Sequence, residues 1–114
     1  MNTVLSSEIW QDIQGYSGIY QVSTLGRIRS LKKGKIKLLK PYINNMGYAV
    51  LSLYANHKQK TYHVHKLVAD TFLVRIDGKN YIDHINGIKT DNRIDNLRWY
   101  YGNCISKYTC MLYW

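Results

Sequence analysis

A chain of 114 residues holds one compact domain, or two small ones sharing a core. With 46% hydrophobic and 20% charged residues it reads as globular rather than disordered, and its apolar runs are too short to cross a bilayer. The formal charge of +9 is unevenly placed, with ten cations and no acid between Asp12 and Asp70, which predicts a polyanionic partner.

Residues 8–31 are punctuated by Gly15, Gly18 and Gly26, each a place for the chain to turn. Residues 19–23 and 27–31 read as short strands. In the second, alternation sets Arg27 and Arg29 on one face and Ile28 and Ser30 on the other. Residues 32–40 interleave lysines with Ile36 and Leu38, and Pro41 follows. Asn44, Asn45 and Gly47 make a turn before a β-branched and aromatic strand at 48–54, and residues 60–64 return after Asn56. The sum is a small antiparallel meander with one basic face, a ribbon of the kind that the DNA major groove admits. Arg27, Arg29, Lys32, Lys33, Lys35, Lys37 and Lys40 are its candidate DNA contacts, arginine for guanine and lysine for phosphate. No apolar stripe faces these cations at helical spacing, which argues against a membrane surface.

At residues 65–72 the period changes, and Leu67, Val68 and Phe72 share a helical face. A loop at Asp77, Gly78 and Asn80 leads to residues 81–101, Y-I-D-H-I-N-G-I-K-T-D-N-R-I-D-N-L-R-W-Y-Y. Asp83 and His84 fall where a strand ends, so that both side chains can converge on one site, and Asn86-Gly87 marks a tight reversal. The loop that follows, with Thr90, Asp91, Asn92, Asp95 and Asn96, has only Ile94 and Leu97 to anchor it. Such a loop requires internal hydrogen bonds or a function. Residues 97–100 return as a strand, and in the tail Ile105, Tyr108 and Leu112 share a helical face. Cys104 and Cys110 form no C-x-x-C pair and read as reduced thiols.

A carboxylate beside an imidazole, with amides following, suits a metal nuclease. Carboxylate oxygen binds a hard divalent cation, and a neutral imidazole takes a proton from water near pH 7. Asp91 and Asp95 read as loop-capping acids. His63 and His65 read as boundary histidines that pack or touch phosphate, and Trp10, Tyr16, Tyr20 and Trp99 as core or interface. An EF-hand is excluded by the spacing of the carboxylates and the lack of a closing glutamate.

Residues 81–99 carry D-H-I-N-G-x-K-T-x-N-R-x-x-N-L-x-W and resemble the HNH homing endonucleases of phages and group I introns. The run H-x-L-V-A-D-T-F at 65–72 matches the lead-in of that family, and residues 8–31 resemble the NUMOD4 DNA-binding motif often fused to it. The resemblance implies an α+β chain. A NUMOD4-like, β-rich DNA-binding region at 1–60 would precede a ββα-metal (HNH, His-Me finger) nuclease region at 61–114. It further implies that His84 is the general base, that Asn96 hydrogen-bonds His84 to fix its ring, and that Asp83 is a metal ligand. The family's further ligand would fall near Ile105, which cannot bind a metal; Asn103, two residues earlier, is the candidate. The expected cofactor is one divalent cation, Mg²⁺ or Mn²⁺, and the expected partner is double-stranded DNA, with no membrane and no small-molecule cofactor. The expected product ends are 5′-phosphate and 3′-hydroxyl, from a monomer or weak dimer. No secretory signal layout opens the chain, so the cytoplasm of a phage-infected or bacterial host cell is the expected location. A DNA-binding relative with a degenerate HNH site, and an RNA-binding module, remain as alternatives.

Overall fold

The computed structural model describes residues 8–74 and 81–100. Strands β1 (Trp10–Asp12), β2 (Tyr20–Ser23), β3 (Ile28–Ser30) and β4 (Lys37–Leu39) form an antiparallel sheet in the order β1-β2-β3-β4. Alternation works as expected in β3, where Ile28 and Ser30 are buried and Arg29 points away. The β2–β3 turn is organised by buried Ser23, whose hydroxyl accepts the N–H groups of Leu25 and Arg27. Gly26 supplies the positive φ of +84° that closes it. The lysine-rich run is not one strand. It opens with a 3-10 turn at Lys32–Gly34, in which Lys33 has φ +59°, and β4 follows.

The second sheet has the order β5-β6-β7, from β5 (Tyr42–Ile43), β6 (Ala49–Ala55) and β7 (Lys58–His63). Asn44 Oδ1 accepts the N–H groups of Met46 and Tyr48, which fixes the β5–β6 turn. Asn56 (φ 54°) and His57 (φ 62°) join β6 to β7 in a two-residue reversal with both central residues left-handed. That tight turn starts β7 at Lys58, two residues before the position the sequence suggests. Helix α1 (Val64–Phe72) continues from β7 without a linker and buries Val64, Leu67, Val68 and Ala69. β8 (Tyr81–His84) and β9 (Leu97–Tyr100) pair antiparallel, with His84 opposite Leu97 and Asp83 opposite Arg98. The short, largely exposed β1 and β5 carry too little apolar patterning to be read from sequence.

A single core joins these pieces. It takes Ile13, Tyr20, Val22 and Ile28 from the first sheet and its loops, and Ala49, Leu51 and Leu53 from β6. Val64, Leu67 and Val68 come from α1, and Leu97 from β9. The boundary expected at 60/61 therefore falls inside β7, and the core passes through it. Polar contacts tie the same seam: the Tyr16 and Tyr62 hydroxyls lie 2.9 Å apart, and the Tyr20 hydroxyl accepts the Tyr54 N–H at 3.1 Å. The fold is α+β, as expected. Among the described residues no helix is long and apolar enough to cross a membrane. The loop at Asp77, Gly78 and Asn80, the candidate ligand Asn103, both cysteines and the tail helix lie outside the described residues.

Candidate functional site

His84 closes β8. Strand alternation turns Ile82 and His84 toward α1, on the same side of the ribbon as their partners Trp99 and Leu97, and leaves Asp83 on the other side. The imidazole is buried, and its Nε2 lies 2.7 Å from Asn92 Oδ1. An amide oxygen only accepts, so Nε2 carries the proton and Nδ1 keeps its lone pair. The contact thus selects the tautomer in which Nδ1 is the base.

His84 meets His65 edge-on, with ring centroids 5.1 Å apart, and lies tilted against Tyr48 at 6.1 Å. His63 and Tyr48 extend this cluster through His65. Burial, then the neighbouring His84, His63 and Lys66, pushes His65 down to about 4, so it stays neutral at pH 7. His65 Nδ1 is buried without a hydrogen-bond partner. The boundary histidines therefore pack, as expected. No three His, Cys, Asp or Glu side chains among the described residues form a group able to hold a metal.

The polar loop is ordered by hydrogen bonds, and buried Asn96 is its hub. Asn96 Nδ2 donates to Asn86 Oδ1 at 3.0 Å and to the Asp91 carbonyl at 2.8 Å, while its Oδ1 accepts the Asn86 N–H at 3.0 Å. Asp91 accepts from Arg93 and from Asn86 Nδ2. The Arg93 hydrogen bond is the largest influence, and it holds the Asp91 carboxyl down at about 2. The expected loop-capping role of Asp91 is what the structure shows. The expected bond from Asn96 to His84 is corrected: Asn92 makes it. Asn96 sits just before β9 and its amide is consumed by the loop backbone, whereas the turn ending at Asp91 delivers Asn92 over the imidazole.

Asp83 is pinned by Arg98 across the ribbon, with Nε at 3.0 Å and Nη2 at 2.9 Å from the same oxygen, Oδ2. Its Oδ1 has no hydrogen bond among the described residues. A carboxylate oxygen of this kind is a hard donor suited to Mg²⁺ or Mn²⁺. Asp83 and His84 stand next to each other at the end of β8, whose ladder runs to the His84–Leu97 pair. Asn103 cannot be placed, since it lies outside the described residues.

The candidate DNA contacts divide into two groups. Arg27 is ion-paired with Glu8, whose carboxyl is lowered chiefly by that hydrogen bond. Arg29 lies 4.1 Å over the Trp10 ring and donates Nε to Gln21 Oε1 at 2.9 Å. Lys32 donates to the Tyr54 carbonyl at 2.6 Å and sits 4.9 Å from the Tyr20 ring. Lys33, Lys35, Lys37 and Lys40 are exposed and unpaired among the described residues. Sequence reasoning missed Asn92, Arg98 and Tyr48. Only the Arg98–Asp83 pair had a usable signal, through the hairpin register that the reversal at Asn86-Gly87 implies.

Residues 8–54 match the NUMOD4 motif, and residues 62–100 match a family described as HNH endonuclease. The chain is 43% identical over 90 residues to DNA endonuclease I-HmuI of Bacillus phage SP01, which covers 79% of this chain and 51% of that one. It is 40% identical over 80 residues to the HNH endonuclease L245 of Acanthamoeba polyphaga mimivirus, covering 70% of this chain and 23% of that protein. A solved structure described as "DNA binding and cleavage by the HNH homing endonuclease I-HmuI" matches with a TM-score of 0.74 and 42% identity, over 82% of this chain and 52% of that one. The chain thus spans about half the length of the phage relative and a smaller share of the viral one.

Proposed function

We propose that the chain, with its NUMOD4 match at 8–54 and its HNH endonuclease match at 62–100, is an HNH homing endonuclease that hydrolyses a phosphodiester bond in double-stranded DNA. The observation that carries this reading is the 2.7 Å contact between His84 Nε2 and Asn92 Oδ1. A buried imidazole with one nitrogen committed and the other free is prepared to take a proton from water, and the neutral His65 beside it adds no charge to compete.

In this mechanism His84 Nδ1 removes the proton of the attacking water, and Asn92 keeps the ring in the competent tautomer. Asp83, oriented by Arg98, and Asn103 are the residues that would hold one divalent cation, Mg²⁺ or Mn²⁺. When bound, that ion supplies Lewis-acid stabilisation of charge at the scissile phosphate and leaving oxygen, giving 5′-phosphate and 3′-hydroxyl ends. Asn96 keeps the loop folded around this centre. Lys33, Lys35, Lys37 and Lys40 neutralise DNA phosphates, with Lys32 at the margin of the set. Arg29, held over the Trp10 ring, presents its remaining donors, and DNA competes with Glu8 for Arg27. The working unit is a monomer or weak dimer inside the cell that holds the DNA.

The test is relaxation of supercoiled plasmid with Mg²⁺ or Mn²⁺. His84→Ala should lower the nicking rate by about 10²-fold or more, the scale of a lost general base, while DNA affinity stays within about threefold. Equal nicking by the variant, or no nicking by the native chain with either metal, overturns the reading.

A further inference from the structure

The turn between β2 and β3 belongs to the N-terminal motif, yet it touches the loop that holds the imidazole. A Cβ at Gly26 would lie 2.7 Å from the Asn92 carbonyl oxygen and 2.8 Å from its carbonyl carbon, so the two backbones meet with no room for a side chain. Beside that contact, the Ile94 N–H donates to the Thr24 carbonyl at 2.8 Å. Thr24 is braced in turn by Ile9, through its N–H to the Ile9 carbonyl at 3.0 Å and its Oγ1 accepting the Ile9 N–H at 3.1 Å. Asn92 is thus gripped on one side by this turn, while its side chain reaches His84 on the other.

We propose that the β2–β3 turn of the DNA-binding motif positions the catalytic imidazole, with Gly26 seating Asn92 so that Asn92 Oδ1 holds His84 in its competent tautomer. Gly26 and Thr24 are positioning residues, since neither touches the reacting atoms. This rests on the nuclease reading only for its effect on cleavage; the effect on the imidazole stands apart from it. The physical basis is that proton transfer depends steeply on placement, and a displacement of about 1 Å costs on the order of 10²-fold in rate. DNA seated along the β2–β4 surface therefore bears on the same turn that orients the base.

The experiment compares Gly26→Ala with Gly18→Ala in the full chain. Gly18 also has a positive φ, +76°, but a Cβ there meets nothing within 4 Å, so it reproduces the backbone strain without the contact. Nitrogen-15 NMR of the ring reports the His84 tautomer, and plasmid nicking at saturating DNA reports the rate. Gly26→Ala should mix the two tautomers of His84 and lower the rate about tenfold or more with DNA affinity within about threefold. Gly18→Ala should leave the tautomer and the rate as they are. In an Asn92→Ala background, Gly26→Ala should add no further change, because both act through the same bond.

Should Gly26→Ala fail to fold, Ile94→Pro removes the N–H donated to Thr24, and Ile94→Val, which trims the same core-packed side chain but keeps that N–H, is its control. Ile94 is the first residue of a 3-10 turn and Arg93 before it is already extended, so proline is tolerated there. It should shift the tautomer in the same direction. The inference is overturned if Gly26→Ala, or Ile94→Pro in its place, leaves the His84 tautomer as in the native chain. A chain that cuts no DNA refutes the nuclease reading alone, since the imidazole signal still decides this one.

Discussion

Acidification from pH 7 to 4.5 tests the histidine cluster through folding stability. His65 titrates ordinarily at 6.5 and in the folded chain at about 4, because burial, then His84, His63 and Lys66, disfavours its charged form. Between those values the unfolded chain binds a proton that the folded chain refuses. Stability therefore falls as pH drops below 6.5 and levels off below about 4. At about 1.36 kcal/mol per pH unit the full gap corresponds to roughly 3 kcal/mol, and solvent reaching this partly buried ring reduces it to about 1–2 kcal/mol. The lowered carboxyls act in another window: Asp91, held at about 2, and Glu8, below its ordinary 4.5, lose their stabilising contributions only at more acid pH. Urea unfolding followed by tryptophan fluorescence at pH 7, 6, 5 and 4.5 measures the slope for the native chain and for His65→Leu, which cannot titrate at this position. The native chain should lose about 1 kcal/mol more than the variant across that range. Parallel losses in the two chains would refute the assignment of the slope to His65.

Replacing Lys33, Lys35, Lys37 and Lys40 together by Gln should flatten the log K against log salt slope for DNA by about 3–4, read by fluorescence anisotropy. Lys32→Gln, whose ammonium already sits on the Tyr54 carbonyl, should change the slope by less than about 1 and lower the urea midpoint instead. Leu53→Ala, at a side chain with no exposed surface, should cost about 2–5 kcal/mol in one transition seen alike by all probes. Two separate transitions would contradict the shared core. Asn96→Ala strands the Asn86 N–H and the Asp91 carbonyl and should cost about 2–4 kcal/mol, with the proton still on His84 Nε2. Loss of that proton signal to the extent seen in Asn92→Ala would remove the division of labour between the two amides.

The parts of the fold that alternation controls were legible. Ile28 and Ser30 turn inward with Arg29 outward, residues 97–100 return as β9, and α1 begins one residue before the expected position. Local turn chemistry was legible too, as at Asn44 and Gly47. What could not be read were distances across the chain. Asn92 and Asn96 are both amides in a polar loop, and sequence offers no reason to prefer one for His84; the contact goes to Asn92, whose backbone lies against the Gly26 turn. The basic run misled in a related way. Charge counting treats all seven candidates alike, but Arg27, Arg29 and Lys32 are engaged by Glu8, Trp10 and Tyr54, partners up to 22 residues away.

Burial explains why the first sheet and the polar loop that follows β8 cannot be treated as beads on a string. The strands of the first sheet are only three or four residues long, and sheets of that size need a covered apolar face to persist. Their inward side chains, Val22 and Ile28 among them, share a core with Leu51 and Leu53 of β6 and Leu67 and Val68 of α1. Division at 60/61 would part Leu51 from its ladder partner Tyr62 and Val22 from α1. The same packing that stabilises a small basic sheet fixes where its turn lies, and that turn abuts Asn92. The α1-facing residues and the glycine at position 26 therefore belong to one packed unit, in which a side chain at 26 would meet the Asn92 backbone.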